Sequence, residues 1–105
     1  NTIPSQKELK VLISDGKLGE KSWLLLAHSY SKNGEYEKSI EIYNELLKVE
    51  SKDTYRDTIF LLGKTYYKAG FLERSKQIFL NILKNNPRTP QALKYLLLVY
   101  EQMRD

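Results

Sequence analysis

Cysteine is absent from this chain, and histidine, tryptophan and methionine occur once each. Without cysteine the 105 residues hold no disulfide framework, no thiolate zinc or iron–sulfur site and no cysteine nucleophile. The single imidazole, His28, has no second one to share a metal with. No cofactor or metal is therefore expected. Long apolar runs are missing too. The longest, Trp23 to Ala27 and Tyr95 to Tyr100, fall far short of the roughly 20 residues that span a bilayer. No secretory leader pattern is present. The chain opens on Asn1 instead of Met, so a processed or excised piece is expected and missing targeting signals carry no weight. Dense runs of one charge are also lacking. Seventeen Lys and Arg face thirteen Asp and Glu, a net of +4. Residues 1–52 hold eight of each sign, and residues 53–105 hold nine basic against five acidic. Basic side chains spaced among Glu, Leu and Tyr argue against a nucleic-acid arm. They leave either an ordinary solvated helical surface or a mildly basic one that attracts an acidic partner.

What the chain does have is helical periodicity. Trp23, Leu26, Ala27 and Tyr30 follow i, i+3, i+4, i+7. Ile59, Leu62, Gly63 and Tyr66 repeat that stripe, as do Leu93, Leu96, Leu97 and Tyr100. Leu9, Leu12 and Ile13 form a shorter one; Ile40, Tyr43, Leu46 and Leu47 form another, echoed by Ile78, Phe79 and Ile82. This period predicts amphipathic helices and no strands. The breaks agree. Ser5 and Glu8 have capping-box spacing behind Pro4. Asp15-Gly16, Asn33-Gly34 and Ala69-Gly70 read as helix ends, where glycine adopts the left-handed conformation at least cost. Ser51 and Asp53 are cap candidates, Asn85-Asn86-Pro87 closes a helix, and Thr89-Pro90 opens one. The spacing predicts six helices, at about 5–15, 20–33, 36–49, 54–69, 72–85 and 90–103, with neighbours antiparallel across short turns.

The stripes form a repeat. Trp23-x-x-Leu26-Ala27-x-x-Tyr30 is followed by Gly34, Ser39 and Tyr43. Ile59-x-x-Leu62-Gly63-x-x-Tyr66 is followed by Gly70, Ser75, Phe79 and Pro87. Leu93-x-x-Leu96-Leu97-x-x-Tyr100 starts a third copy. The pattern resembles the tetratricopeptide repeat, whose period is about 34 residues. The first two copies are offset by 36 and the next by 34, so the extra residues lengthen the Lys48 to Asp53 connection. Ala27, Gly63, Ser39 and Ser75 are small where two helices meet, Tyr43 and Phe79 fill the space between repeats, and Tyr30, Tyr66 and Tyr100 are expected in the core. Leu97 is large where the pattern wants a small residue.

The resemblance implies an all-α fold of antiparallel helix pairs stacked as a right-handed solenoid. One helical-repeat domain is expected over 1–105, as a piece of a longer array. It has a leading helix at 5–15, repeat 1 at 20–52, repeat 2 at 54–88, and helix A of a third repeat at 90–103. The second half, from Tyr55-Arg56-Asp57 through Glu73-Arg74-Ser75 to Ala92-Leu93 and Leu96 to Glu101, is also similar to the lipopolysaccharide assembly protein B family, as are Gly34-Glu35 and Ile40 to Leu47. Members of that family are membrane-anchored cytoplasmic adaptors with a C-terminal zinc module. That resemblance implies a bacterial adaptor in envelope or lipopolysaccharide regulation, cytoplasmic and membrane-tethered in its full-length form.

No catalytic constellation emerges, and no enzyme is expected. His28 has no sequence-local partner for nucleophilic catalysis, and Glu37, Glu41 and Glu45 read as a solvated stripe partly offset by Lys38 and Lys48. Repeat arrays bind along a concave surface, which the resemblance places on the first helix of each pair. Leu24, His28 and Ser31 are the matching positions in the first copy; Phe60, Lys64, Tyr67 and Lys68 in the second; Gln91, Lys94 and Leu98 in the third. Leu24, His28, Phe60, Lys64, Tyr67, Lys68, Gln91 and Lys94 are the candidate binding residues. Tyr67 and Tyr95 stand outside the signature and suit a binding surface. The Lys/Asn/Arg clamp that some such repeats use for chaperone tails maps to Leu24, His28, Leu61, Gln91 and Tyr95, and none carries the required residue. The expected partner is a protein or peptide with acidic groups, bound by an adaptor or scaffold. The alternative is a structural spacer, or a dimerisation module using Leu93, Leu96 and Leu97. Nucleic acid is not expected as a partner.

Overall fold

Two glycines set the first rule of the architecture. Gly34 (φ 82°) and Gly70 (φ 89°) are the positive-φ residues of the described backbone, and each ends a helix as the sequence predicts. The Glu35 N–H then donates to the Tyr30 carbonyl at 2.9 Å, and the Phe71 N–H to the Tyr66 carbonyl at 2.8 Å. The computed structural model describes residues 6–15, 19–48 and 52–104. Within them run α1 (Gln6–Asp15), α2 (Glu20–Lys32), α3 (Tyr36–Lys48), α4 (Lys52–Ala69), α5 (Leu72–Asn85) and α6 (Pro90–Met103). All six bounds lie within two residues of the predicted ones. The described fold is all-α. The Ser5, Gly16 and Ser51 signals, and the side chains of Leu9 and Asp53, lie outside the described residues.

The contacts divide the chain into two units, 1–59 and 60–105, with the boundary inside α4. In the first unit α2 packs on α3, and α1 on α3. Trp23, Ala27, Ile42, Tyr43 and Leu46 are buried there, with Ile13 from α1. In the second unit Phe79, Ala92, Leu96 and Val99 form the core, flanked by Phe60, Tyr67, Leu72, Ile82, Leu83 and Tyr95.

The repeat shows in matching contacts 36 positions apart. Ser39 Oγ donates to the Ala27 carbonyl at 2.7 Å, and Ser75 Oγ to the Gly63 carbonyl at 2.8 Å. Both serines are fully buried. A serine in place of the usual alanine thus adds a hydrogen bond across the pair while staying small. Lys38 lies 5.6 Å from the Tyr30 ring centroid, and Arg74 lies 5.8 Å from that of Tyr66. Lys38 also bonds Glu35 at 2.8 Å. That hydrogen bond, with the Glu35 charge, raises the Lys38 ammonium above its ordinary pKa. Glu73 does the same for Lys76.

Removing either cross-pair hydroxyl is expected to have a small, equal effect. Ser39→Ala and Ser75→Ala each lose one buried neutral hydrogen bond, worth about 1 kcal/mol. Each carbonyl keeps its in-helix partner, so no acceptor is orphaned. Urea unfolding followed by circular dichroism measures it; a loss of more than about 3 kcal/mol at either site would show that the hydroxyl does more than bridge the pair.

Four expectations need correction. Tyr100 is 42% exposed: Tyr30 and Tyr66 are covered by a cation from the following helix, and no described helix follows α6. Leu96 is buried, while Leu93 and Leu97 are exposed, so Leu96 is not open to the dimerisation surface expected of the three. Glu45 is 5% exposed and accepts a bond from Lys48 at 3.0 Å, so it does not belong to a solvated stripe. Thr89 sits at the N-cap of α6, but its hydroxyl donates back to the Asn86 carbonyl at 2.9 Å instead of capping the helix. Proline at the first helical turn, with φ already set, starts α6 without that cap.

Candidate functional site

Helical spacing brings one face of α4 against one face of α6. Phe60, Lys64, Tyr67 and Lys68 follow i, i+4, i+7, i+8 on α4, and Gln91, Lys94 and Tyr95 lie in the first turns of α6. Tyr95 is the centre of the arrangement. Its ring stacks on Phe79 at 5.7 Å and 17°. Phe60 meets it edge-on at 5.7 Å, and Tyr67 at 6.1 Å. Two ammonium groups flank the same ring, Lys64 at 5.4 Å and Lys94 at 5.9 Å from the centroid. Such contacts contribute about 0.5–1 kcal/mol each at exposed sites; here they also hold two flexible side chains near one place.

This platform is half-buried at Phe60, Lys64, Tyr67 and Tyr95, and exposed at Lys68, Gln91 and Lys94. The structure therefore joins Phe60, Lys64, Tyr67 and Lys94 through Tyr95. Lys68 and Gln91 show no contact to that ring. Leu24 and His28 are half-buried on α2 in the first unit.

Phe60, a candidate binding residue, serves more than the binding face. It also packs edge-on against the fully buried Phe79, at 5.6 Å and 74°, so it supports the platform from the core side. Tyr95 is the residue that the candidate set omitted. It lies one residue before the buried Leu96 and outside the repeat signature, so only its aromatic character marked it. No group of three or more His, Asp or Glu side chains able to hold a metal occurs among the described residues. None of the described helices is long and apolar enough to cross a membrane.

Two comparisons with known proteins bear on the chain. Residues 20–53 match the family model of the tetratricopeptide repeat; this segment is such a repeat, as its residues predict. The chain is also similar to photosystem I assembly protein Ycf3 of Synechococcus sp. (strain CC9605), 33% identical over 75 residues, which are 70% of this chain and 43% of that protein. The protein of the same name from Prochlorococcus marinus (strain MIT 9211) is 32% identical over 71 residues, covering 67% of this chain and 41% of its own. That from Prochlorococcus marinus subsp. pastoris (strain CCMP1986 / NIES-2087 / MED4) is 34% identical over 71 residues, with the same coverage. The chain spans about two fifths of the length of these curated relatives. None of the three is a lipopolysaccharide assembly protein, so the finer family resemblance gains no support from them.

Proposed function

We propose that this chain is a protein-binding scaffold module that docks an extended segment of a client protein on the α4/α6 face. The observation that carries the proposal is the Tyr95 platform, with three further rings packed around one partly exposed ring and two lysines beside it. Aromatic surfaces held by a core lose little entropy on binding, and tyrosine presents both an apolar body and a polar tip. The repeat match supports partner binding over a bare spacer. The similarity to proteins named for photosystem I assembly supports a role in which the module holds a subunit while a complex forms. An envelope or lipopolysaccharide adaptor is the narrower reading, resting only on the residues quoted for that resemblance. Binding, with no chemistry, is the activity proposed.

A phage-displayed library of random 12-residue peptides, selected on the immobilised protein, tests this. The strongest selected peptide should bind Tyr67→Ala about tenfold more weakly, as expected when a partly buried interface tyrosine is truncated. It should bind Leu80→Ala, on the exposed side of α5, unchanged. Phe60 supports the core and is replaced only by leucine in this set. Failure to select any peptide that depends on Tyr67 transfers the support to the spacer reading.

A further inference from the structure

We infer that the Lys64–Tyr95–Lys94 cluster is an anion subsite that takes a carboxylate side chain, and that the segment docked on this face is acidic. The inference rests on the docking role proposed above and names its chemistry. It begins with how this chain treats its lysines elsewhere. Lys38, Lys48 and Lys76 each have a glutamate three residues earlier, and each pairs with it, at 2.8, 3.0 and 2.7 Å. Lys64, Lys68 and Lys94 have no acidic residue three or four positions away on either side. None of the three makes an ion pair among the described residues. Lys64 and Lys68 also stand at i, i+4, a like-charge spacing that works against the helix.

The imbalance extends to the whole unit. Residues 60–105 carry eight basic and three acidic side chains, a net of +5, and residues 1–59 carry nine and ten, a net of −1. Of the three acids, Glu73 is engaged by Lys76 on α5. The uncompensated cations that converge do so at one ring, and the Tyr95 hydroxyl has no hydrogen-bond partner among the described residues. Two ammonium groups and a phenol near one ring are donors of the kind a carboxylate accepts from. A nucleic acid fits less well. The Tyr95 ring is already stacked on Phe79 and met by the edges of Phe60 and Tyr67, so it offers poor stacking to a base. Three lysines also neutralise few phosphates.

The test uses the peptide selection described above, repeated with Lys64→Gln/Lys94→Gln protein, whose fold is checked by its helical circular dichroism. Peptides selected on the unsubstituted protein should be enriched in Asp and Glu. Their dissociation constants, by fluorescence anisotropy, should rise about tenfold for the double variant, as loss of two partly screened ion pairs implies. They should rise similarly when the peptide's Glu residues become Gln. Selected peptides that require Tyr67 but show no acidic enrichment and no loss on the double variant would overturn the anion subsite and leave the docking role standing. Absence of any Tyr67-dependent peptide would remove both. A twelve-nucleotide oligothymidylate that displaced the acidic peptides at lower concentration than they bind would also overturn the inference, in favour of phosphate.

Discussion

Phe79→Ala is expected to cost about 3–5 kcal/mol, the largest loss from any single side-chain truncation in the second unit. Phe79 is fully buried, stacks on Tyr95, receives the edge of Phe60, and belongs to the cluster of Ala92, Leu96 and Val99. It is thus the fully buried ring on which the platform rests. The cavity it leaves is walled by stiff rings and by a helix pair tied through Ser75 and Gly63, so collapse into it is limited. A chain of this size has about 5–15 kcal/mol in total, and the thermal midpoint should fall by about 12 °C or more. Urea and thermal unfolding by circular dichroism measure both. A loss under about 1 kcal/mol would mean that Phe79 is not packed as described. The same variant frees Tyr95 on one side, so peptide binding should weaken even well below the midpoint.

Gly63→Ala should also destabilise, and its sign runs against helix propensity. In an exposed helix the exchange gains about 1 kcal/mol. Here a Cβ would stand 2.9 Å from Ile78 Cγ2 and 2.9 Å from Phe79 Cζ. Both neighbours belong to α5, and the Phe79 ring is buried with no free side to turn toward. Overpacking of this kind costs about 1–3 kcal/mol, and with two contacts this short the net loss is expected at about 1–2 kcal/mol after the propensity gain. The close approach of α4 to α5 is what the glycine permits; its φ is ordinary. A double-mutant cycle separates these terms. With Phe79→Leu in place the ring atoms nearest the new methyl are gone, so the penalty of Gly63→Ala should shrink by about 1 kcal/mol. Additive losses would show that the strain lies at Ile78 or in the backbone.

The helices were legible because their ends are local chemistry. Gly34, Gly70 and Pro90 each do at one position what the sequence pattern says they do. Small residues at Ala27, Gly63, Ser39 and Ser75 were legible as close-packing sites, although the hydroxyl-to-carbonyl bonds were not: they join residues twelve apart on different helices. Tyr95 was hard to rank for the same reason. Its importance comes from Phe60, Lys64, Tyr67 and Phe79 on two other helices, and spacing along α6 carries no trace of them. Phe60 was legible as a candidate because it sits on the expected face, but that face and the core meet at its ring. Glu45 and Tyr100 were misplaced by periodicity alone: periodicity gives the face a residue occupies, and the packing partner decides whether that face is covered.

On the proposed function, binding occurs on the α4/α6 face, around Tyr95. Nuclear magnetic resonance of the isotope-labelled protein, titrated with the strongest selected peptide, tests it most directly. Shifts are expected to concentrate at Phe60, Lys64, Tyr67, Lys94 and Tyr95, with α5 positions Gln77, Leu80, Asn81 and Lys84 unmoved. Shifts centred on α5, or on the exposed Leu93, Leu97 and Tyr100 of α6, with the Tyr95 ring signals unchanged, would contradict it.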